Sequence, residues 1–300
     1  MTCLFENDWL VPIEHSSIQR IEWQLSVQAQ RRIRGMVDVL YGHMIESRRS
    51  AVVRLGERLG SNPVVALSGG IDSQAACLSL MDAGVAFTVA ILVFEDGFNL
   101  HDVQSAYDFC IRYDLPHVEV RLDIMKFLGR GMGSYVVKYD CPSPQITAHL
   151  WFYEQLIEMG ASSIVCGGNP PYYRQDEIAF VSTRSQTAWM RFSEINSFLI
   201  VGNFLSYSLD IALPLLLATS EGGYANRVAG MHHIGLPVVG QGEKLTGFEK
   251  IKEHFKGLTG DGWSFEKMFR QRYTGVVPEY TSVLNIPDDI RDILYAKRLF

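Results

Sequence analysis

Short apolar runs alternate with segments of helical periodicity between positions 63 and 168 of this sequence. The apolar runs are Val64–Leu67, Ala86–Phe94, His117–Leu122 and Ser163–Cys166. The helical segments between them are Asp72–Met81, Val103–Tyr113 and Ile146–Met159. Strands that alternate with helices are typical of a parallel sheet with helices on both faces. Because crossover connections are right-handed, we predict an α/β fold with a doubly wound parallel sheet.

The regions on either side of this core have different patterns. Residues 1–60 are predicted to form a helical N-terminal extension, because apolar residues recur at a period near 3.6 from Ile18 to Leu40. Residues 61–184 form the predicted core, in which Ile178–Val181 is a further short strand. Residues 185–300 are predicted to be a C-terminal substrate region, first helical and then rich in glycine and loops. The pattern leaves open whether this region is a second small domain or a cap on the core.

Composition and charge exclude several classes of protein. The chain has 300 residues, of which 47% are hydrophobic and 20% are charged, so it can bury a sizeable core. The formal net charge of −6 argues against general nucleic-acid binding and leaves a local basic patch open. The apolar stretch Phe198–Ala218 contains polar residues and a proline, which predicts a buried helix and no membrane span. Five cysteines without a CxxC pair, and no secretory signal, predict a cytoplasmic protein.

The segment Ser68–Ser73, with the sequence SGGIDS, lies between the first core strand and the first core helix. Glycines at such a junction permit positive φ and a close approach of the backbone to a ligand. The first turn of a helix presents free N–H groups and the positive end of the helix dipole. These features predict a phosphate-binding loop, in which Asp72 holds Mg²⁺ or caps the helix. A strand–helix turn without a ligand is the alternative. The predicted phosphate ligands are the backbone amides of Gly69, Gly70 and Ile71 and the hydroxyl groups of Ser68 and Ser73.

SGGIDS resembles the SGGxDS loop of the PP-loop ATP pyrophosphatase superfamily at all six positions. That superfamily includes synthetases similar to asparagine, GMP and NAD synthetase, tRNA-lysidine synthetase and enzymes of the queuosine pathway. The resemblance covers about residues 60–170 and implies an adenine nucleotide α-hydrolase-like fold that binds ATP and Mg²⁺. It also implies chemistry in which AMP is transferred to a substrate oxygen, pyrophosphate leaves, and a nucleophile then displaces AMP.

Further site residues are predicted at other strand ends. The resemblance implies that the backbone near Phe94 holds adenine and that Gly168 and Asn169 form a second nucleotide contact. Arg174 follows that contact and can bind a carboxylate or phosphate with its guanidinium fork, or form an ordinary surface ion pair. Lys244 lies in a glycine-rich segment that can close over pyrophosphate.

We therefore predict an AMP- and pyrophosphate-forming synthetase that adenylates a substrate oxygen for attack by an amine or ammonia. Its catalytic residues would be Asp72, Arg174 and Lys244. The substrate class predicted is a small molecule or a modified base, and a homo-oligomer is left open. One alternative is a sulfur-transferring or nucleobase-modifying enzyme, which the missing dithiol pattern around Cys141 and Cys166 disfavours. The other is a nucleotide-binding protein without catalysis.

Overall fold

The computed structural model describes residues 9–13, 22–35, 41–141, 143–168, 170–174, 177–219, 223–242, 246–251, 253 and 281–297. Within these ranges the strands form two sheets of five strands each. The strands are β1 (Leu10–Ile13), β2 (Glu22–Leu25), β3 (Pro63–Ala66), β4 (Thr88–Phe94), β5 (His117–Leu122), β6 (Ser163–Cys166), β7 (Tyr172–Arg174), β8 (Glu177–Ser182), β9 (Leu199–Val201) and β10 (Thr281–Asn285).

Helices connect these strands and cover the faces of the sheets. The α-helices are α1 (Val27–Gly35), α2 (Tyr41–Arg58), α3 (Ile71–Asp82), α4 (Leu100–Tyr113), α5 (Ile124–Lys126), α6 (Met132–Tyr139), α7 (Pro144–Glu158), α8 (Thr183–Asn196), α9 (Leu209–Ala218), α10 (Tyr224–His233) and α11 (Asp288–Ala296). A π-helical turn, Phe127–Gly131, joins α5 to α6, and a 3₁₀ turn, Phe204–Ser206, precedes α9.

The predicted doubly wound sheet is confirmed. Its strands are all parallel and lie in the order β5-β4-β3-β6-β9. The chain enters at the central strand β3 and moves outward to β4 and β5. It then returns to place β6 on the other side of β3. This reversal creates a switch point between β3 and β6, and ligands of doubly wound folds bind outside the strand ends at such a point.

The two faces of the sheet belong to two apolar cores, because side chains alternate along a strand. Val65 and Val89 pack on one face with residues of α2, α3, α4 and α9. Val64 and Ala90 pack on the other face with residues of α7 and α8. The nucleotide-loop helix α3 and the later helix α7 therefore flank the same strand ends from opposite faces.

The prediction for Phe198–Ala218 is partly wrong. Only its second half, α9, is a buried helix, whereas Leu199–Val201 forms the edge strand β9 of the parallel sheet. Three residues are too few to show a strand periodicity, so the position of this segment beside β6 decides its conformation. No helix of the described part of the chain is long and apolar enough to cross a membrane.

The second sheet has the mixed order β1-β2-β10-β8-β7. In it β2 pairs parallel with β10, so that Trp23 lies opposite Leu284 from the far end of the chain. The expectation that residues 1–60 are helical is therefore wrong for β1 and β2, although α1 and α2 are helices. β2 pairs antiparallel with the nearby β1 and parallel with β10, which lies about 260 positions away, and the helical periodicity of this region carries no sign of either neighbour. The division into three domains stays a prediction.

Candidate functional site

A cavity of about 330 Å³ lies at the switch point, outside the carboxyl ends of β3, β4 and β6. It brings together several residues that the sequence predicted as nucleotide ligands. Those that line the cavity are Ser68, Gly70, Asp72, Ser73, Phe94 and Gly168. Gly69 and Ile71 lie within the same loop, and both are buried.

The loop needs glycine at its tightest point. Gly69 has a φ of +78°, and a Cβ atom at this position would lie 2.4 Å from the carbonyl oxygen of Asp102. The next residue, Gly70, is the N-cap of α3 and provides no side-chain cap. The first turn of α3 therefore begins directly at the cavity, with its N–H end facing the space where a phosphate would lie.

Ser73 closes the loop internally. Its hydroxyl group accepts a hydrogen bond from the backbone N–H of Ser68 (3.2 Å) and donates one to the carbonyl oxygen of Gly70 (2.9 Å). This role differs from the predicted one, in which the Ser73 hydroxyl group binds phosphate. Ser68 is exposed and its hydroxyl oxygen lies 3.3 Å from that of Ser73, so Ser68 is the more accessible donor.

The turn after β6 packs directly on the first turn of α3. A Cβ atom at Gly167 would lie 2.4 to 2.5 Å from backbone atoms of Asp72 and Ser73. The absence of a side chain at Gly167 thus allows the two strand ends of the switch point to meet. Gly168 lies next in the wall of the cavity, and Asn169 lies outside the described residues.

Asp72 forms an ion pair with Arg227, which sequence reasoning missed. The carboxylate of Asp72 is 15% exposed and lies on the first turn of α3, whereas Arg227 comes from α10. No motif surrounds Arg227, and 155 positions separate the two residues. The structure therefore places a cation at the predicted magnesium ligand.

The segment 236–242 is fixed against the loop by a single amide side chain. Gln74 Nε2 donates to the carbonyl oxygens of Gly69 (2.7 Å) and Val239 (3.1 Å), and Gln74 Oε1 accepts from the N–H of Val239 (2.7 Å). Gln74 is 2% exposed. Because one side chain satisfies groups from both segments, the loop and the segment 236–242 are held in a fixed mutual position.

The side chain of Asn99 forms hydrogen bonds with the backbone at the end of β4. Its side-chain oxygen accepts from the N–H of Phe94 (2.9 Å), and its amide nitrogen donates to the carbonyl oxygen of Leu92 (2.8 Å). The predicted adenine contact falls on this backbone, where these two groups are already paired. The ring of Phe94 meets the ring of Phe248 edge to face, with centroids 5.6 Å apart.

Aromatic side chains line the cavity on the side of α7 and α8. They include His149, Tyr153 and Trp189. The thiol of Cys166 lies in the same wall and donates to the hydroxyl oxygen of Tyr153 (3.2 Å). Burial raises the pKa of Cys166 to about 12, so this cysteine is a neutral thiol near neutral pH.

Of the two predicted substrate-side cations, Arg174 lies in a strand of the second sheet and Lys244 lies outside the described residues. Arg174 is the last residue of β7, opposite Glu177 in the β7–β8 pair, and its side chain is outside the described part. Their predicted roles stay predictions.

The cavity residues fit the nucleotide and the metal that the sequence resemblance implies. The described residues contain no group of three or more side chains able to hold a metal ion. Mg²⁺ needs no such group, because it is commonly held by one or two carboxylates together with substrate phosphates. Asp72 lines the cavity and is suited to supply one such carboxylate. The neighbouring Gly70 also lines the cavity, and a Cβ atom at Gly70 would meet no atom closer than 3.4 Å.

No protein-family model and no curated protein sequence matches the chain. Among solved structures, one similar structure is a glutamine-dependent NAD⁺ synthetase from Acinetobacter baumannii in complex with ADP. It is 18% identical with a TM-score of 0.33, and the match covers 43% of this chain and 26% of that one. This chain thus spans about a quarter of the length of that synthetase. Another is NMN synthetase from Francisella tularensis, 13% identical with a TM-score of 0.41, over 88% of this chain and 98% of that one.

At these identities and TM-scores the likeness transfers no substrate or activity to this chain. The SGGIDS loop, and the parallel sheet with this loop at the end of its central strand, are the features that this chain itself provides. The loop resembles that of the PP-loop ATP pyrophosphatase superfamily, and the sheet is the doubly wound parallel sheet that the sequence predicted.

Proposed function

We propose that this protein is an ATP- and Mg²⁺-dependent synthetase that forms AMP and pyrophosphate. It would adenylate a substrate oxygen, which an amine or ammonia then attacks. One observation carries the proposal: the SGGIDS loop and the first turn of α3 face a cavity of about 330 Å³ at the switch point of the sheet. A phosphate chain is the ligand that best fits a glycine-lined helix N-terminus at this place.

The residues of the loop divide the proposed task among them. Backbone N–H groups of Gly69, Gly70 and Ile71 and the hydroxyl group of Ser68 bind phosphate oxygens, while Ser73 keeps the loop closed. Asp72 holds Mg²⁺, which when bound would offset the negative charge on the phosphate oxygens. Donors fixed in advance stabilise the departing pyrophosphate without having to reorganise during the reaction.

The two ends of the cavity then hold the base and the acceptor. We assign the base to the end of β4 near Phe94 and Phe248, where an aromatic pair provides a flat apolar contact. We assign the acceptor to the side of His149, Tyr153 and Trp189, next to Gly168. Arg174 is proposed to orient the acceptor, Lys244 to offset charge on the pyrophosphate, and Asn169 to contact the nucleotide. The acceptor would be a small molecule or a modified base.

Product analysis tests this proposal. The protein is incubated with radiolabelled ATP, Mg²⁺, ammonia and a pool of candidate acceptors, beside the variant Asp72→Asn. A matched control is Asp289→Asn, which removes an exposed carboxylate that pairs with Arg34 (2.7 Å) on a different helix. We expect AMP and pyrophosphate from the wild type and the control, and neither from Asp72→Asn. ADP and phosphate as products, or no binding of ATP at all, would refute the proposal.

Tight binding of ATP without AMP formation across the acceptor pool would instead favour the alternative of a non-catalytic nucleotide-binding protein. A sulfur-transferring enzyme receives less support, because Cys77, Cys110, Cys141 and Cys166 are all buried. Burial also raises the pKa of Cys77, Cys110 and Cys166. A buried neutral thiol is a poor nucleophile.

A further inference from the structure

Arg227 lies in the first turn of α10 and reaches the first turn of α3. Its side chain is 20% exposed and forms an ion pair with Asp72, which lines the cavity. Its Nε atom is buried and has no hydrogen-bond partner among the residues that the structure describes. Most buried donors in proteins are hydrogen-bonded. The guanidinium group of Arg227 therefore retains donor capacity beside the predicted phosphate site.

Gln241 adds a second donor of the same kind. It is adjacent to the loop, since its Nε2 atom would lie 2.9 Å from a Cβ atom at Gly69. That Nε2 atom is buried and has no hydrogen-bond partner within the described ranges. The backbone N–H of Gln241 donates to the hydroxyl oxygen of Tyr224 (2.7 Å), which ties the segment 236–242 to the start of α10. The chain beyond the parallel sheet thus brings two unsatisfied donors to the phosphate loop.

The charges at this place favour an exchange of partners when ligand binds. A carboxylate beside a phosphate is repulsive unless a cation stands between them. Arg227 provides that cation for Asp72 in the structure, whereas Mg²⁺ would provide it when phosphate is bound. An arginine fork is matched to the geometry of phosphate oxygens. A released Arg227 would therefore have a suitable partner in the cavity that Asp72 lines.

We propose that Arg227 binds the pyrophosphate portion of the nucleotide, and that its ion pair with Asp72 opens when Mg²⁺ takes the carboxylate. This inference rests on the proposed function and names a residue for the same site. It has a consequence for binding order: Arg227 competes with free Mg²⁺ for Asp72 and cooperates with Mg²⁺ once pyrophosphate is present. Metal and phosphate should therefore bind together more tightly than either does alone.

Binding measurements on Arg227→Gln test this exchange without relying on turnover. Free Mn²⁺, used as a spectroscopic probe for Mg²⁺, should bind several-fold more tightly to Arg227→Gln, because Asp72 has lost its competitor. Pyrophosphate in the presence of Mg²⁺, measured by calorimetry, should bind about 10- to 100-fold more weakly, because a charged hydrogen-bond donor is lost. The matched control is Arg34→Gln, which breaks an exposed arginine–aspartate pair elsewhere and should change neither affinity.

The two expected changes in affinity have opposite signs, and this distinguishes the proposed role of Arg227 from a purely structural one. If Arg227→Gln binds both ligands more weakly, or binds pyrophosphate as the wild type does, the inference is wrong. Arg227→Lys should recover part of the pyrophosphate affinity, since it restores the charge and not the fork. If Arg227→Gln does not fold, Asp72→Asn carries the test. It releases Arg227, so metal-free pyrophosphate should bind more tightly than to the wild type, and equal or weaker binding overturns the inference.

Failure of the inference and failure of the proposed function give different results. A wild-type protein that binds neither ATP nor pyrophosphate contradicts the proposed function itself. A wild-type protein that forms AMP, together with an Arg227→Gln variant of unchanged pyrophosphate affinity, contradicts only the assignment of Arg227.

Discussion

Replacing Gly69 with alanine should destabilise the folded protein through two separate effects. At a φ of +78° a Cβ atom meets its own backbone, which costs about 1–2 kcal/mol. The same Cβ would also lie 2.4 Å from the carbonyl oxygen of Asp102 and 2.9 Å from the backbone nitrogen of Ala106. These are backbone atoms of α4 that cannot rotate away, and overpacking of this kind costs about 1–3 kcal/mol. The expected loss of unfolding free energy is therefore about 2–5 kcal/mol.

Gly84→Ala is the matched control for this experiment. Gly84 has a similar φ of +70°, but no heavy atom lies within 4 Å of the position of its Cβ. The unfolding free energy of Gly84→Ala should therefore fall only by the backbone effect of about 1–2 kcal/mol. The difference between the two variants isolates the contact of the loop with α4, and it should be about 1–3 kcal/mol.

Equilibrium urea unfolding followed by circular dichroism measures both variants under the same conditions. Isothermal titration of pyrophosphate with Mg²⁺ then reports on the loop itself. We expect Gly69→Ala to lose measurable pyrophosphate binding, because the strained loop shifts relative to α3, and Gly84→Ala to retain it. Equal losses of stability in the two variants would refute the reasoning, because the packing of Gly69 against α4 would then contribute nothing.

Three further predictions follow from other contacts. Asn99→Ala should destabilise the protein by about 2–4 kcal/mol in urea unfolding, because a buried and a half-buried backbone group of β4 lose their hydrogen-bond partner. A loss under about 0.5 kcal/mol would contradict this role of Asn99. Tyr107→Phe should cost less than about 1 kcal/mol, because its hydrogen bond to Glu119 (2.6 Å) is exposed to solvent. That hydrogen bond lowers the pKa of Glu119 below its ordinary 4.5, while burial and the same hydrogen bond raise the pKa of Tyr107 to about 12. The bond needs an ionised Glu119 and a neutral Tyr107, so the difference from the wild type should be full between about pH 5 and 10. It should fade below pH 4.5 and between pH 10 and about 12, and a difference that does not vary with pH would contradict this account. Cys166→Ser should keep its AMP-forming activity within about threefold, because the pKa of this thiol is raised to about 12 and it takes no part as a thiolate; loss of activity in a folded variant would point to sulfur chemistry.

Much of the core was predictable from local sequence, because local sterics determine it. The alternation of apolar runs and helical segments from position 63 to 168 predicts β3 to β6, the helices α3, α4 and α7, and a parallel sheet, although it does not predict α5 and α6. The doubly wound arrangement follows from the handedness of the crossovers. The phosphate loop was predictable for a similar reason. Its glycines Gly69 and Gly70 lie at a strand–helix junction, where only a small set of backbone conformations is allowed.

Other features depend on contacts between residues that are far apart in sequence. β2 is a strand and not the predicted helix, because it lies between β1 and β10, and β10 comes from near the other end of the chain. β9 was missed because three residues beside β6 show no periodicity of their own. In both segments a neighbouring strand supplies the hydrogen bonds that fix the extended conformation. The sequence of the segment itself does not predict that neighbour.

The site shows the same division. The loop, the helix that follows it and the position of Asp72 in the first turn of that helix can all be derived from local sequence. The groups that contact the loop, namely Arg227 on Asp72 and the segment 236–242 on Gln74, are fixed by the packing of distant parts of the chain. A turn is selected by the allowed backbone angles of a few adjacent residues. An ion pair across 155 positions depends instead on how every intervening strand and helix packs.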